Sequence, residues 1–278
     1  GIALISKKKK YFLTDGRYLL QAKKEISKQF ELIDLTKTNF FTFFQQKIKK
    51  STILVDFKLF RIGFIKKLKQ ISLSNNNTII DDLENTVDEI WVNKPARQKK
   101  KIFLINKNIS GENTENKKKR IFANSNYDLF IITSSDSICW LLNIRGYDLP
   151  NTPIVFSKII MSESEIKLFI DLENVSKEKI AIYGVKIFKE SDFENEISKI
   201  SRKSNIFVDN SISYFYYNLM KSQNLKLDLG IDPCQYLKCQ KNKVEIMHAK
   251  KSHILDGISL VKFFYWLDKQ NLSKDLCE

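Results

Sequence analysis

The middle of the chain reads Cys139-Trp140-Leu141-Leu142-Asn143-Ile144-Arg145-Gly146-Tyr147-Asp148-Leu149-Pro150-Asn151-Thr152-Pro153. An apolar run at residues 129–133 precedes it and predicts a β-strand. The polar residues 134–137 predict a cap for a short helix that ends near Leu142, and residues 154–156 predict a second strand. This succession of strand, helix and strand predicts an α/β domain around the quoted stretch.

Composition limits the class of protein. The chain has 278 residues, of which 43% are hydrophobic, so it can bury the cores of about two domains. Its net charge of +15 would favour nucleic acid or an anionic membrane if the basic residues formed one patch. Lysines instead occur along the whole chain, which indicates a solvated lysine surface. Nucleic-acid binding is the less favoured alternative.

The sequence also indicates a cellular compartment. No window approaches the roughly 20 consecutive apolar residues of a membrane span, and the first residues lack the layout of a secretory signal. We therefore expect a soluble, cytoplasmic protein with no membrane partner. Gly1 is followed directly by a strand-like run, so the chain is expected to begin inside a domain. The cysteines predicted to be reduced thiols are Cys139, Cys234, Cys239 and Cys277.

The first residues predict a β-hairpin and then a helix. Apolar runs at residues 2–5 and 11–13 flank a turn that carries four lysines at positions 7–10. Thr14 or Asp15 can cap the helix that follows. The apolar residues that recur there at helical spacing are Tyr18, Leu19, Ala22 and Ile26.

Strand-like and helical patterns then alternate, which predicts a mixed sheet with helices against it. Strands are predicted at residues 30–35, 53–55 and 78–80, and helices at residues 40–48 and 60–71. The segment Lys94-Pro95-Ala96-Arg97-Gln98-Lys99-Lys100-Lys101 is polar and basic. We place a domain boundary near residue 98 because this composition is typical of a connection.

The alternation restarts at Ile102. Residues 106–122 are rich in Asn and Lys, and few apolar residues there recur at helical spacing. The strands expected after the central stretch are 159–160, 167–171, 180–183 and 206–209. The strands at 159–160 and 167–171 are predicted to be neighbours in one sheet. Asn210 or Ser211 is predicted to cap the helix that follows the last of these strands.

A long helix is predicted towards the end of the chain, from about residue 244. Its apolar side chains step by three, four or seven residues, which places them on one helix face. These side chains are Val244, Met247, Ile254, Ile258, Val261 and Tyr265.

Three motifs together identify a family. They are Thr14-Asp15-Gly16-Arg17-Tyr18, Val87-Asp88-Glu89-Ile90-Trp91 and Trp140-Leu141-Leu142-Asn143-Ile144-Arg145-Gly146. In this order they resemble the cytosolic Xaa-Pro aminopeptidases (aminopeptidase P) of the creatinase/pita-bread metallopeptidase family. The resemblance implies an α/β fold with two creatinase N-terminal-like domains. Each would be a mixed β-sheet flanked by helices, and the resemblance implies that the second opens with a helix within residues 106–122.

The resemblance also divides the chain. Residues 1–98 are interpreted as the first creatinase N-terminal-like domain, without its N-terminal part, and residues 99–238 as the second. Residues 239–278 would be the opening helix of the catalytic pita-bread domain, which the chain is expected to lack beyond this helix.

The expected function follows from that division. The resemblance implies that intact members remove the N-terminal residue before a proline, using two divalent cations, usually manganese, bound by two Asp, one His and two Glu. None of these ligands can be assigned to this sequence. The chain is therefore predicted to be an inactive fragment without a cofactor or catalytic residues of its own, and the peptide would be a partner only of the intact enzyme.

Arg17 is the one residue predicted to bind substrate. The resemblance places the arginine of Thr-Asp-Gly-Arg-Tyr near the mouth of the catalytic cleft, where a guanidinium can pair with peptide carbonyls or a carboxylate. The structural alternative is an arginine in the first turn of a helix that is bonded to a nearby backbone group or carboxylate.

The histidines do not predict a metal site. His248 and His253 are five residues apart on the expected helix and point about 140° away from each other, so one face cannot hold one ion with both. Their spacing from Cys234 and Cys239 loosely imitates a zinc finger, but the segment lacks a finger's ββα pattern.

A non-catalytic interaction module is the alternative function. The chain would then pair with itself as a homodimer or with a separately encoded catalytic half. Exposure of Phe264 and Trp266 on the terminal helix would favour this alternative.

Overall fold

The computed structural model describes residues 1–95, 102–123, 125–172 and 184–270. It comprises two compact units. The first unit consists of Gly1–Lys94 with Ser213–Phe215, and the second of Pro95–Ile212 with Tyr216–Glu278. No helix within the described ranges is both long enough and apolar enough to cross a lipid bilayer. The boundary predicted near residue 98 falls outside the described residues.

Short strands and helices alternate in the first unit, as predicted. The elements in chain order are β1 (Ile2–Ile5), β2 (Lys10–Thr14), α1 (Leu19–Glu25), β3 (Glu31–Asp34), α2 (Phe40–Lys47), β4 (Thr52–Val55), α3 (Ile62–Ser74), β5 (Thr78–Asp81) and α4 (Thr86–Ile90). Strand β1 pairs antiparallel with β2, and β2 runs parallel to β3, so this sheet is mixed. Strands β4 and β5 form a parallel pair.

Aromatic side chains form much of the core of the first unit. Side chains alternate between the two faces of a strand, so Tyr11 and Leu13 of β2 lie on the same, buried face. Phe40, Phe43 and Phe44 share one face of α2 because they are spaced by three and four residues. The rings of Tyr11 and Phe43 meet edge to face with centroids 5.0 Å apart. This contact packs α2 against the sheet.

The second unit contains a larger mixed sheet with helices around it. The elements after residue 95 are β6 (Phe103–Leu104), α5 (Lys107–Ser110), α6 (Thr114–Phe122), β7 (Leu129–Ile132), α7 (Ser135–Leu142), β8 (Ile144–Arg145), β9 (Ser157–Met161), β10 (Ile166–Ile170), β11 (Val185–Lys189), α8 (Phe193–Ser198), β12 (Asn205–Asp209), α9 (Tyr214–Ser222), β13 (Lys226–Gly230), α10 (Pro233–Cys239) and α11 (Lys243–Asp268).

The strand order in the larger sheet is β11-β10-β9-β7-β12-β13. Strands β7, β12 and β13 run parallel, whereas β9 is antiparallel to both β7 and β10. The predicted pairing of the strands at 159–160 and 167–171 is confirmed by the register of β9 and β10. A mixed α/β fold with helices beside its sheets, as predicted, is therefore confirmed.

The prediction of a strand at residues 154–156 is wrong. These residues pair with no neighbouring strand of the described chain. Two of their backbone N–H groups bind side chains instead. Val155 N donates to Cys139 Sγ (3.2 Å), and Phe156 N donates to Asp148 Oδ2 (2.7 Å). The sheet strand β9 begins immediately afterwards, at Ser157.

Two further local predictions need correction. Helix α9 begins at Tyr214, so neither Asn210 nor Ser211 directly precedes it as a cap. The helix expected within residues 106–122 is divided into α5 and α6, because Gly111 has a φ of +74° and ends α5. The strand predicted at residues 180–183 lies outside the described residues.

The long helix near the end of the described chain is confirmed as α11. Its first turn is a capping box in which Asn242 Oδ1 accepts from the backbone N–H groups of Val244 and Glu245, while Glu245 Oε2 accepts from Asn242 N. The Asn242 side chain also donates to the carbonyl of Ser110 (2.8 Å), which ties the start of α11 to the end of α5.

Candidate functional site

Arg17 lies on a short 3-10 helix, Gly16–Tyr18, that leads into α1. Asp15 caps this helix through its side chain, which accepts from Arg17 N (3.1 Å). The same carboxylate accepts from Arg17 Nε and Nη2, both at 3.0 Å. Of the two cap candidates in the sequence, Asp15 caps this 3-10 helix, whereas α1 itself begins after Tyr18 without a side-chain cap.

The Asp15–Arg17 pair is open to solvent. The side chain of Arg17 is 79% exposed. Its hydrogen bonds to Asp15 lower the pKa of that carboxyl and raise the pKa of the guanidinium. The guanidinium carbon also lies 5.5 Å from the centre of the Tyr18 ring.

This geometry leaves part of the guanidinium available to a ligand. A guanidinium has five N–H donors in a fixed fork, and Asp15 takes those of one edge. The remaining donors can bind a carbonyl or a carboxylate, and the bond to Asp15 restricts the orientation of the group. The local structural alternative for Arg17, a bond to a nearby carboxylate, is thus present, and it is compatible with substrate binding.

The four residues that imitate a zinc-finger spacing do not form a site. Cys234 is fully buried, and burial raises the pKa of its thiol, whereas Cys239 is exposed. His248 Nε2 lies 3.2 Å from the carbonyl of Asn108, and His253 is exposed. Among the described residues, no group of three or more His, Cys, Asp or Glu side chains is arranged to hold a metal ion. Cys277 lies outside these residues.

The central stretch has a structural role in which Lys117 takes part. Lys117 is 1% exposed, and its Nζ donates to the carbonyl of Trp140 (2.7 Å) and to Asn143 Oδ1 (2.6 Å). The ammonium also lies 4.5 Å from the centre of the Trp140 ring. Burial lowers the pKa of Lys117 to about 8. This lysine joins α6 to the end of α7.

Asn143 and Arg145 complete that junction. Asn143 has a φ of 53° and ends α7 in the left-handed conformation, which Asn tolerates better than most residues. Its side chain also donates to the carbonyl of Glu112 (2.8 Å). Arg145 Nη1 donates to the carbonyls of Cys139 (2.9 Å) and Ile144 (2.8 Å), so it satisfies backbone acceptors near the end of α7. The Asn and Arg of the motif therefore stabilise the helix terminus.

A buried carboxylate lies at the carboxyl ends of the parallel strands. Asp209 is fully buried at the end of β12, and its Oδ2 accepts from Thr133 N (2.6 Å) and Thr133 Oγ1 (3.2 Å), just after β7. Its Oδ1 accepts from Ser211 N (2.9 Å) and from the Ser211 hydroxyl. Asp232 is also buried, after β13, and burial raises its pKa. Asp209 orders two strand ends, whereas Asp232 caps α10 by accepting from Cys234 N (2.8 Å).

The sequence motifs alone did not single out Lys117 or Asp209 as important residues. Lys117 lies in a run of Asn and Lys that reads as a solvated surface. The sequence around Asp209 could have indicated its role. Asp209 ends an apolar strand and is followed by Asn and Ser, a pattern that places an acceptor beside turn amides. Only the structure shows that both side chains are buried.

Helix α11 exposes many large apolar side chains. Those exposed by 48% or more near its end include Ile258, Val261, Phe264, Tyr265 and Trp266, with Phe264 at 56% and Trp266 at 48%. Apolar residues outside the predicted face, such as Leu255 and Leu260, are also exposed. The described part of α11 therefore presents apolar surface in several directions.

The mixed α/β fold and the motifs define a class of protein, which comparison with known families makes explicit. Residues 93–245 match the Creatinase/Prolidase N-terminal domain family. This match covers more than half of the chain, and the chain belongs to that family. The resemblance identified from the three motifs is thereby confirmed.

Similar curated proteins carry the name Xaa-Pro aminopeptidase. The probable Xaa-Pro aminopeptidase P of Laccaria bicolor is 28% identical over 291 residues, covering 97% of this chain and 44% of that protein. The Xaa-Pro aminopeptidase ApepP of Drosophila melanogaster is 28% identical over 286 residues, covering 97% of this chain and 46% of that protein. The chain thus spans about half the length of these relatives.

A solved structure shares the fold. The X-prolyl aminopeptidase of Caenorhabditis elegans, described as a cytosolic enzyme with a di-nuclear active site, superposes with a TM-score of 0.86 at 23% identity. The superposition covers 98% of this chain and 47% of that one. At this identity the likeness establishes the fold, and the activity belongs to the worm protein.

Proposed function

We propose that this chain is the non-catalytic half of a cytoplasmic Xaa-Pro aminopeptidase, a manganese metallopeptidase that hydrolyses the bond before a proline in second position. One observation carries the proposal. Proteins named Xaa-Pro aminopeptidase are similar to 97% of the chain, while the chain covers only 44–46% of their length. Similarity that spans both units supports a relation to about half of such an enzyme.

The described residues do not fit the metal centre of an intact enzyme. Two adjacent divalent cations need clustered carboxylates to balance their charge and a neutral histidine as a ligand. The described part of the chain has no such cluster, and its two histidines lie apart on α11. We therefore propose that peptide hydrolysis needs ligands that the described residues do not supply.

Arg17 is proposed to bind the peptide substrate in the intact enzyme. Its remaining N–H donors would pair with a peptide carbonyl or a carboxylate, while Asp15 limits the rotation of the guanidinium. This role requires only binding and orientation. It fits the 79% exposure of the side chain, which leaves the donors accessible.

The purified chain is expected to leave Xaa-Pro peptides uncut and to carry no stoichiometric manganese or zinc. The physical reason is that the described residues contain no cluster of carboxylates and histidine that could hold two cations. A peptide-cleavage assay with and without added manganese, run beside elemental analysis after gel filtration, checks both parts.

An intact relative, such as the Drosophila enzyme, serves as the positive control for peptide and metal. About two metal ions per chain together with manganese-dependent cleavage before proline would contradict the proposal. Carboxylates that are here interpreted as structural would then have to be ligands.

Arg17→Ala is expected to lower kcat/KM for an Xaa-Pro peptide by about tenfold in a chimera where this chain replaces the matching half of the Drosophila enzyme. Arg17→Lys should recover little of the loss, because an ammonium cannot reproduce the fork. Steady-state kinetics of the chimeras provide the measurement.

Lys24→Ala, which removes an exposed charge from nearby α1, is the matched control for the Arg17 variants. All variants should unfold at the same urea concentration as the parent, because the Asp15–Arg17 pair is exposed. An unchanged kcat/KM in an active Arg17→Ala chimera would rule out the substrate role.

The second candidate is an interaction module that forms a homodimer or binds a separate catalytic half. The observation that favours it is the exposed apolar surface of α11, including Phe264 and Trp266. Size-exclusion chromatography with light scattering separates the candidates. A monomer with no affinity for a catalytic half would exclude the module.

A further inference from the structure

A small cleft lies in the second unit, where the end of α8 meets the larger sheet. Its volume is about 200 Å³, which has room for several water molecules or one small molecule. Sites for drug-sized ligands have volumes of roughly 300–1,000 Å³, so this cleft limits an occupant to a smaller molecule.

One wall of the cleft is a face of the sheet. Ile160 of β9 lies directly opposite both Lys167 of β10 and Ile131 of β7, so these three side chains share a face. Leu129 precedes Ile131 by two residues and therefore lies on the same face. Leu129, Ile160 and Lys167 line the cleft, which gives this wall an apolar surface and one ammonium group.

Another wall comes from the end of α8 and carries a buried carboxylate. Glu196 lines the cleft and is 7% exposed. Its Oε2 accepts from Lys167 Nζ (2.7 Å), and its Oε1 accepts from Lys199 Nζ (2.6 Å). These hydrogen bonds lower the pKa of Glu196, so its carboxylate is ionised at neutral pH. Ile200 adds apolar surface to this wall.

A second carboxylate completes the charged lining. Glu165 lies in the turn between β9 and β10, and its Oε2 is 2.7 Å from Lys186 Nζ. Its Oε1 is 3.8 Å from Lys167 Nζ. The lining therefore holds two ammonium groups, of Lys167 and Lys199, and two carboxylates, of Glu165 and Glu196. Together with Leu129, Ile160 and Ile200, these four residues define the ion-pair cleft.

The balance of charge selects the kind of ligand. An inorganic anion would face two carboxylates, and a metal cation would face two ammonium groups, so like charge disfavours both. A zwitterion offers one group of each sign. In the described chain the hydrogen bonds of Lys167 and Lys199 go to Glu196, which takes one of the three N–H donors of each ammonium and leaves others for a ligand.

We propose that the ion-pair cleft binds a free α-amino acid with a short aliphatic side chain. The two lysines bind its α-carboxylate, the two glutamates bind its α-ammonium, and the apolar residues of the cleft contact its side chain. Because both signs of charge hold the ligand at once, molecules that carry only one of them bind more weakly. Binding involves no peptide hydrolysis, so its test is independent of the proposed function.

A titration with L-leucine and two analogues tests the proposal on the whole chain. The analogues are 4-methylpentanoate, which lacks the ammonium group, and 3-methylbutylamine, which lacks the carboxylate. Ligand-observed NMR at constant ionic strength measures the affinities. We expect L-leucine to bind with a Kd of about 1 mM and each analogue to bind at least about tenfold more weakly. Equal binding by either analogue would show that one sign of charge suffices, and would overturn the proposal.

Matched substitutions test whether the cleft is the binding site. Lys199→Gln and Glu165→Gln each remove one charge from the lining, at side chains that are 69% and 32% exposed. Their controls are Lys203→Gln and Glu163→Gln, at exposed neighbours outside the lining. Both cleft variants should bind L-leucine about tenfold more weakly than their controls do. Binding that is equal within each pair would contradict the proposal.

Amide exchange of the unmodified chain locates the bound amino acid without any substitution. Saturating L-leucine should slow exchange in the turn at residues 162–165 and at the end of α8, residues 196–201, because both segments line the cleft. Protection confined to other parts of the chain would place the ligand elsewhere and refute the proposal. Absence of binding at about tenfold the expected Kd would refute it as well.

Discussion

Asp209→Ala is expected to destabilise the second unit by about 3–5 kcal/mol. The substitution removes the acceptor of Thr133 N, Thr133 Oγ1, Ser211 N and the Ser211 hydroxyl. Hydrogen bonds to a charged group each contribute more than neutral ones, and an unsatisfied buried donor adds its own cost. Thr133 follows β7 and Ser211 follows β12, so one carboxylate connects the ends of two neighbouring strands.

Urea unfolding followed by hydrogen exchange, read from peptides of the second unit, measures this loss. Glu163→Ala, at an exposed carboxylate, is the control and should change the unfolding free energy little. Asp209→Asn should have an intermediate effect, because an amide oxygen can still accept while the amide nitrogen cannot. A change below about 1 kcal/mol for Asp209→Ala would show that water or a shifted backbone satisfies the donors.

Elements with a strong local pattern could be predicted from the sequence. The spacing of Phe40, Phe43 and Phe44 follows a helix, and α2 lies there. Asp15 before Gly16 signals a helix start, and its side chain caps the 3-10 helix Gly16–Tyr18 that leads into α1. These features depend on neighbours within four residues, so the sequence contains their physical cause.

The wrong predictions concern contacts between residues that are far apart in the sequence. Residues 154–156 have strand-forming side chains, but Cys139 and Asp148 take the amides of Val155 and Phe156. Which partner binds an amide depends on residues far along the chain, and no local periodicity reports it. The same reason applies to α9, which begins three residues after Ser211, the later of the two predicted caps, while Asp209 bonds Ser211 in the turn.

The residues of the candidate site also differ in whether the sequence could predict them. Arg17 could be chosen because its motif is local, and the structure shows that its fork is half occupied by Asp15. The junction at Lys117 could not be foreseen, since its partners Trp140 and Asn143 lie 23 and 26 residues further along the chain. Only the folded chain brings these groups together, and Lys117 alone reads as part of a solvated run.

Lys117 is expected to make stability rise with pH above neutrality. Burial lowers its folded pKa to about 8, against 10.5 for an ordinary lysine. Between these values the unfolded chain holds a proton that the folded chain has released, so the free energy of unfolding increases with pH. Each pKa unit corresponds to 1.36 kcal/mol, which gives a gain of about 3 kcal/mol across the window. The gain is lost as pH falls through 8.

The comparison with Lys117→Met isolates this contribution, because methionine fills similar space and does not titrate. The variant is less stable than the parent because it loses the hydrogen bonds to Trp140 and Asn143. This loss does not vary with pH, since position 117 of the variant has no titrating group. The other lysines and the tyrosines titrate in both proteins, so they cancel in the difference between the two urea-unfolding free energies. That difference should grow by about 3 kcal/mol from pH 8 to pH 10.5.

Lys119→Met, on the exposed side of α6, is the control, and its difference from the parent should not change with pH. A flat difference for Lys117→Met as well would mean that the folded protein keeps the buried ammonium charged throughout, held by Trp140 and Asn143.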